Sequence, residues 1–139
     1  MEINPYLVRE YTPEDREMIE GWHHGHESLA PPEAILPKLG VVVHDPDGRD
    51  MAAMWLYMDN SVGVCFVEHI VTVPGIGPSQ ARKALERGLE YLRFYAASND
   101  YGIIFIHTLP AIARRCEKLG FQKLKEAMVS MWRLTKGEF

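Results

Sequence analysis

The sequence predicts a three-layer α+β fold: a mixed, mostly antiparallel central sheet with helices on both faces. Three stretches carry that expectation. Residues 39–73 hold three apolar runs separated by "DPDG" and "DNS", turn chemistry that joins antiparallel neighbours. In residues 78–99, Ala81, Ala84, Leu85, Leu89, Leu92 and Ala96 recur at three- and four-residue spacing, the mark of a long helix with one buried face. The run "YGIIFIHTL" at 101–109 is almost continuously apolar, which suits a strand inside a sheet, buried on both faces.

The elements follow in order. "INPYLVREY" at 3–11 mixes Ile3, Tyr6, Val8 and Tyr11 with polar partners and reads as an edge strand. Thr12, Pro13, Glu14 and Asp15 supply an N-cap, a first-turn proline and acids at the positive helix end, so a helix is expected from Pro13 to about His24. The Pro- and Gly-rich stretch "GHESLAPPEAILPKLG" reads as a loop with at most a helical turn in "PEAILPKL". Strands are expected at 39–44, 50–58 and 62–73, then the helix from Pro78 to Asn99 and a strand at 101–109. "PAIARRCEKLG" has Pro at its start, Lys118 in its last turn and Gly120 as its stop, the signals of a short helix. In "FQKLKEAMVSMWRLT", Ala127, Val129, Met131 and Arg133 alternate with Met128, Ser130, Trp132 and Leu134, an imperfect pattern that reads as a closing strand. No internal repeat or domain boundary interrupts the order, so residues 1–139 are expected to form one domain.

Composition narrows the partners. There are 15 Lys plus Arg against 19 Asp plus Glu, a net charge of -4, which lacks the basic excess that nucleic-acid binding usually needs. Cys65 and Cys116 stand far apart with no C-x-x-C spacing, so a reducing cytoplasm is the expected setting. The N-terminus carries charges where a secretory signal needs an apolar run, and the most hydrophobic region, 51–73, is interrupted by Asp59, Glu68 and His69. No targeting or membrane-spanning segment is expected.

The order β, α, loop, β, β, β, α, β, α, β, together with "AIARRCEKLGF" at 111–121 between two expected strands, resembles the GNAT superfamily of acyl-CoA-dependent N-acetyltransferases. The resemblance covers nearly the whole chain. It implies an N-acyltransferase that moves an acetyl or acyl group from acetyl-CoA, its co-substrate, to a small-molecule or peptide amine. It also allows a homodimer, since members of this fold often pair through edge strands.

The family holds the cofactor pyrophosphate where a strand, a glycine loop and a helix N-terminus meet. Unpaired N–H groups converge there, and the helix dipole favours an anion. The matching stretch is "VTVPGIGPSQARK", so the resemblance assigns cofactor contacts to Val71, Thr72, Val73, Gly75, Ile76, Gly77, Ser79 and Gln80. No Gln or Arg leads the glycines at the family spacing, and the loop is short. Arg82 and Lys83 read either as a solvated helix face or as phosphate donors that compensate for the short loop. A dinucleotide fingerprint is a weaker reading, because the third glycine is missing and the preceding sheet reads as antiparallel, and a P-loop is dismissed because G-K-[ST] is absent.

For catalysis the resemblance places a base at Glu68 in "VEHIVTVP". His69 is the neighbouring alternative, and simple alternation sends the two to opposite sheet faces. Cys116 occupies the position where many members carry a thiolate-protonating Tyr; a small buried hydrophobe is the competing reading. Pro110 stands where the family often has an Asn. The cluster "GWHHGHE" has no metal-ligand spacing; in the resembled fold this region lines the acceptor cleft, which assigns Trp22, His23 and His26 to substrate contact. Two functions stay open, an active acyl-CoA-dependent N-acyltransferase and a GNAT-like binding or interaction domain that has lost catalysis.

Overall fold

In a computed structural model of the chain, which describes residues 3–126 and 128–136, five strands form one sheet in the order β1-β2-β3-β4-β5. They are β1 (Leu7–Glu10), β2 (Gly40–His44), β3 (Asp50–Met58), β4 (Val64–Thr72) and β5 (Ile103–Ile106). The first four pair antiparallel and β4 pairs β5 in parallel, the mixed, mostly antiparallel sheet that the turn signals predict. "DPDG" makes the β2–β3 turn: the Asp45 carboxylate accepts the N–H groups of Asp47 and Arg49, and Gly48 supplies the left-handed conformation at φ 86.

The helices are α1 (Arg16–Gly25), α2 (Pro78–Ser98) and α3 (Pro110–Lys118). A 3-10 turn, Pro13–Asp15, precedes α1, where the caps alone predict one continuous helix. The Asp15 carboxylate accepts from Thr12 N–H and from both Nη atoms of Arg9, which tightens the first turn and ties it to β1. Leu85, Leu89, Leu92 and Ala96 of α2 and Cys116 of α3 pack with Val41, Met54, Leu56, Cys65 and Val67 on one sheet face. Ile19 and Trp22 of α1 pack with Val42, Ala53, Trp55 and Val71 on the other. The layers are therefore unequal: two helices cover one face, and the ten-residue α1 covers part of the second.

Among the described residues the expected closing strand is absent. Its Ala127 lies outside the described residues, and the described residues of 121–136 contain no strand. Val129, Met131 and Trp132 are strongly exposed. The alternation places apolar side chains on both of its faces, so no register with one buried side is specified.

Candidate functional site

The site is built by an irregularity in β4. Ala53 pairs Val71 and Trp55 pairs Glu68, so Met54 alone opposes His69 and Ile70. His69 takes up the extra residue at φ 60, a conformation that side chains rarely adopt and that occurs most often at functional sites and bulges. The bulge cancels the alternation expected at residues 68 and 69. Glu68 shares a face with its partner Trp55, and the His69 ring lies edge-on to Trp55 at 6.3 Å and to Tyr57 at 5.8 Å. Both candidate bases therefore look out on the α1 side of the sheet, which corrects the opposite-face expectation.

The β4–β5 ladder stops here. Val67 and Ile106 are its last register pair, and His107 N–H reaches the Val67 carbonyl only at 3.5 Å. Among the described residues β4 continues to Thr72 without a strand partner on that side, so the two strands part after Val67. At this point His107 Nδ1 donates to Glu68 Oε1. His107 escaped the sequence reading, although a signal for it was present. It has the parity of Phe105, opposite to that of Ile104 and Ile106, so it leaves the core side of an otherwise apolar strand.

The bonds of the neighbouring groups fix their protons. Tyr57 Oη donates to the Ile35 carbonyl at 2.8 Å, and its single proton is then used. It must accept from His69 Nε2–H, also at 2.8 Å, which leaves Nδ1 of His69 as an unprotonated lone pair. Burial pushes the His69 pKa down, with the Glu68 charge opposing, so the ring is neutral at pH 7. Burial also raises the Tyr57 pKa, and Glu68 adds to this. Two groups on this face can thus take a proton, the Glu68 carboxylate and His69 Nδ1.

The residues expected to contact substrate have three different settings. Trp22 lies in the core beside Trp55 and Val71. His26 Nε2 donates to the Thr72 carbonyl at 2.7 Å, pinning the end of α1 to the end of β4. His23 is buried; its Nδ1 donates to Ser28 Oγ, whose proton goes to the His23 carbonyl. Nε2 is then a buried lone pair with no partner. Burial, with the charges of His26 and His69, pushes its pKa down.

The loop of residues 73–77 leads directly into α2. Gly75 adopts φ 80, and Pro78 sits at the first helical position. The N–H groups of Gly75, Ile76, Ser79 and Gln80 make no hydrogen bond among the described residues, while Gly77 N–H is taken by Gln80 Oε1 at 3.0 Å. Four donors beside a helix N-terminus fit an anion such as a pyrophosphate. Val71 is buried on the α1 face, and Val73 N–H is bonded to the Met51 carbonyl. Arg82 is ion-paired with Glu86 at 3.5 Å, and the Lys83 carbonyl accepts from Asn4. Cys116 is buried in the core under α3, where burial raises its pKa and keeps the thiol neutral. Among the described residues no group of three His, Cys, Asp or Glu side chains is placed to hold a metal, and no helix is long and apolar enough to cross a membrane.

No family model and no curated protein matches the sequence. Solved structures do match in fold. A Trypanosoma brucei acetyltransferase superposes with a TM-score of 0.63 at 18% identity, over 91% of this chain and 99% of that one. Glucosamine-6-phosphate N-acetyltransferase from Arabidopsis thaliana gives 0.61 at 12% identity, over 92% and 99%. AAC(6')-Iy in complex with the bisubstrate analog CoA-S-monomethyl-acetylneamine gives 0.64 at 15% identity, over 93% and 99%. At such identities the likeness is one of fold, and the chain has the mixed, mostly antiparallel α+β fold that these structures share.

Proposed function

We propose that this chain acts as a single-domain N-acyltransferase that moves an acetyl or acyl group from acetyl-CoA to an amine in the cytoplasm. The observation that supports it best is the meeting of two features on β4. Four unbonded N–H groups stand at the loop after the strand, and the Glu68–His107 pair stands where the strand parts from β5. The loop donors of Gly75, Ile76, Ser79 and Gln80 would hold the pyrophosphate, and the exposed backbone of β4 beyond Val67 would run beside the arm that carries the thioester. The bound cofactor supplies an acyl group activated on sulfur.

The residues of this chain then manage the proton. An amine bound as its ammonium would first give one proton to Glu68, whose orientation His107 fixes. The neutral nitrogen then attacks the thioester carbonyl, the new C–N bond forms, the C–S bond breaks, and the second proton lost by nitrogen passes through water to the leaving thiolate. Cys116, buried beneath α3, serves here as packing and donates nothing to the leaving thiolate.

A second reading, a GNAT-like binding domain without catalysis, draws on the Gln80 side chain that already occupies Gly77 N–H. Thermal unfolding with acetyl-CoA separates the two. At one hundred times Kd a bound cofactor adds ~2.7 kcal/mol of stability, and that shift together with amine-dependent release of CoA thiol is the expected result. No shift at millimolar acetyl-CoA would reject the acyltransferase.

A further inference from the structure

We propose that the acceptor is a singly charged amine carrying an aromatic ring, seated on a platform made by Phe66, Phe105 and His107. The proposal deepens the acyltransferase reading and rests on it for the chemistry, though not for the binding. Phe66 and Phe105 are register partners on β4 and β5. Their rings stack at 5.6 Å with an interplanar angle of 19°, and His107 stacks on Phe66 at 6.2 Å and 13°. Three nearly parallel rings therefore lie side by side on the α1 face of the sheet.

Neither phenylalanine belongs to any of the three buried clusters or packs against one. Both are half-buried, and their strand neighbours Cys65 and Val67 turn the other way into the core. Two large apolar side chains thus stack on each other and on His107 outside the buried clusters, each still partly open to solvent. Their faces carry the negative part of the ring quadrupole and accept another ring in offset stacking or a cation above it.

The charge at the end of the platform selects the rest of the ligand. His107 bonds one oxygen of Glu68, and the second oxygen is left to receive an ammonium group. Glu68 is the sole acid on β4 and β5, and β3, β4 and β5 contain no Lys or Arg. A phosphorylated acceptor finds no cation on these strands, and a polyamine finds no second carboxylate on β4 or β5. One positive charge and one flat apolar group match what is present.

The test is a calorimetric titration of the full chain with 2-phenylethylamine and with n-butylamine, each also in competition with glucosamine 6-phosphate, alongside the acetyl-CoA thermal shift. The aryl amine is expected to bind about tenfold more tightly than the alkyl amine. Phe105→Leu and Phe66→Leu keep the apolar volume and should erase that preference, and the sugar phosphate should not compete. Equal binding of the two amines, an unchanged preference in both variants, or displacement by glucosamine 6-phosphate would overturn the proposal. A ring preference without a cofactor shift upholds the platform and counts against acyl transfer; a cofactor shift without a ring preference removes the platform alone.

Discussion

His107 donates its Nδ1 proton to Glu68 one residue beyond the last rung of the β4–β5 ladder, at the point where the two strands part. The bond holds the carboxylate where the strands part and uses one oxygen; in the proposed reaction the other would meet the acceptor. Glu68→Gln keeps the shape and removes the base. Turnover in a thiol-release assay should fall by roughly 10²–10⁴-fold, the usual weight of general base catalysis, with unfolding unchanged. His107→Asn should cost less, because it alters the setting of the carboxylate without removing it. Full turnover in Glu68→Gln would assign the proton to another group, for which His69 Nδ1 is the other candidate on this face.

Tyr57→Phe tests the tautomer of His69. The phenol sits between the Ile35 carbonyl and His69 Nε2, at 2.8 Å from each, and its loss leaves the ring free to carry its proton on either nitrogen. Nitrogen-15 NMR should show a single Nε2–H species in the parent protein and a mixture in the variant. Stability should drop by about 0.5–1.5 kcal/mol for the lost bonds. An unchanged tautomer would mean that packing against Trp55, and not the hydroxyl, sets the ring.

The antiparallel strands were legible because local turn chemistry bounds them, and the long helix because of one periodic stripe. β5, expected inside the sheet and buried on both faces, is instead an edge strand of the described sheet with Ile103 exposed, since an apolar run alone does not say which side lacks a neighbour. The expected 50–58 strand coincides with Asp50–Met58, and Pro78 opens α2 as expected of a first-turn proline. The site was only half legible. The phosphate loop and Glu68 lie in contiguous motifs, whereas the bulge at His69 arises from one residue too many between two pairs, a relation between strands that no single stretch contains. His107 and Phe105 meet Glu68 and Phe66 only through parallel pairing across an intervening helix. Trp22, an aromatic in a histidine cluster, drew a ligand assignment, but Ile19, three residues before it and so on the same helix face, already marked the buried side of α1.

Acid should destabilise the protein through His23 and His69. Each has its pKa pushed below the ordinary 6.5, mainly by burial, so between the folded and unfolded values the unfolded chain binds more protons. Their stabilising effect is complete above the unfolded value and is lost as pH falls from about 6.5 through the lowered folded values. For His23 the reason is visible in the structure: a proton on Nε2 would be buried with no acceptor. Melting temperature should fall from pH 7 to pH 5.5, and His23→Gln should flatten that slope even if it lowers the plateau. A parallel slope in the variant would place the acid sensitivity elsewhere.

Two glycines under the sheet should answer differently to the same added methyl group. A Cβ on Gly40 would meet Trp55 Nε1 at 2.3 Å and Cδ1 at 2.5 Å, a rigid indole that is fully buried and in turn supports the His69 ring. A Cβ on Gly88 would meet Met54 Cε at 2.5 Å and Sδ at 2.9 Å, the far end of a flexible side chain that can move aside, and Val43 Cγ2 at 3.1 Å, which needs to give by only a few tenths of an ångström. Gly40→Ala should therefore cost about 1–3 kcal/mol of overpacking in urea unfolding. Gly88→Ala should come out nearly neutral, because replacing Gly by Ala inside a helix returns about 0.8–1.0 kcal/mol. The Gly40 variant should also change the near-ultraviolet circular dichroism of Trp55 and weaken the His69 tautomer preference, since the displaced indole lies against that ring. Equal losses at the two sites would show that Met54 is as confined as Trp55. A Gly40 variant that lost stability with the His69 spectrum intact would show that the bulge holds its geometry without the indole beneath it.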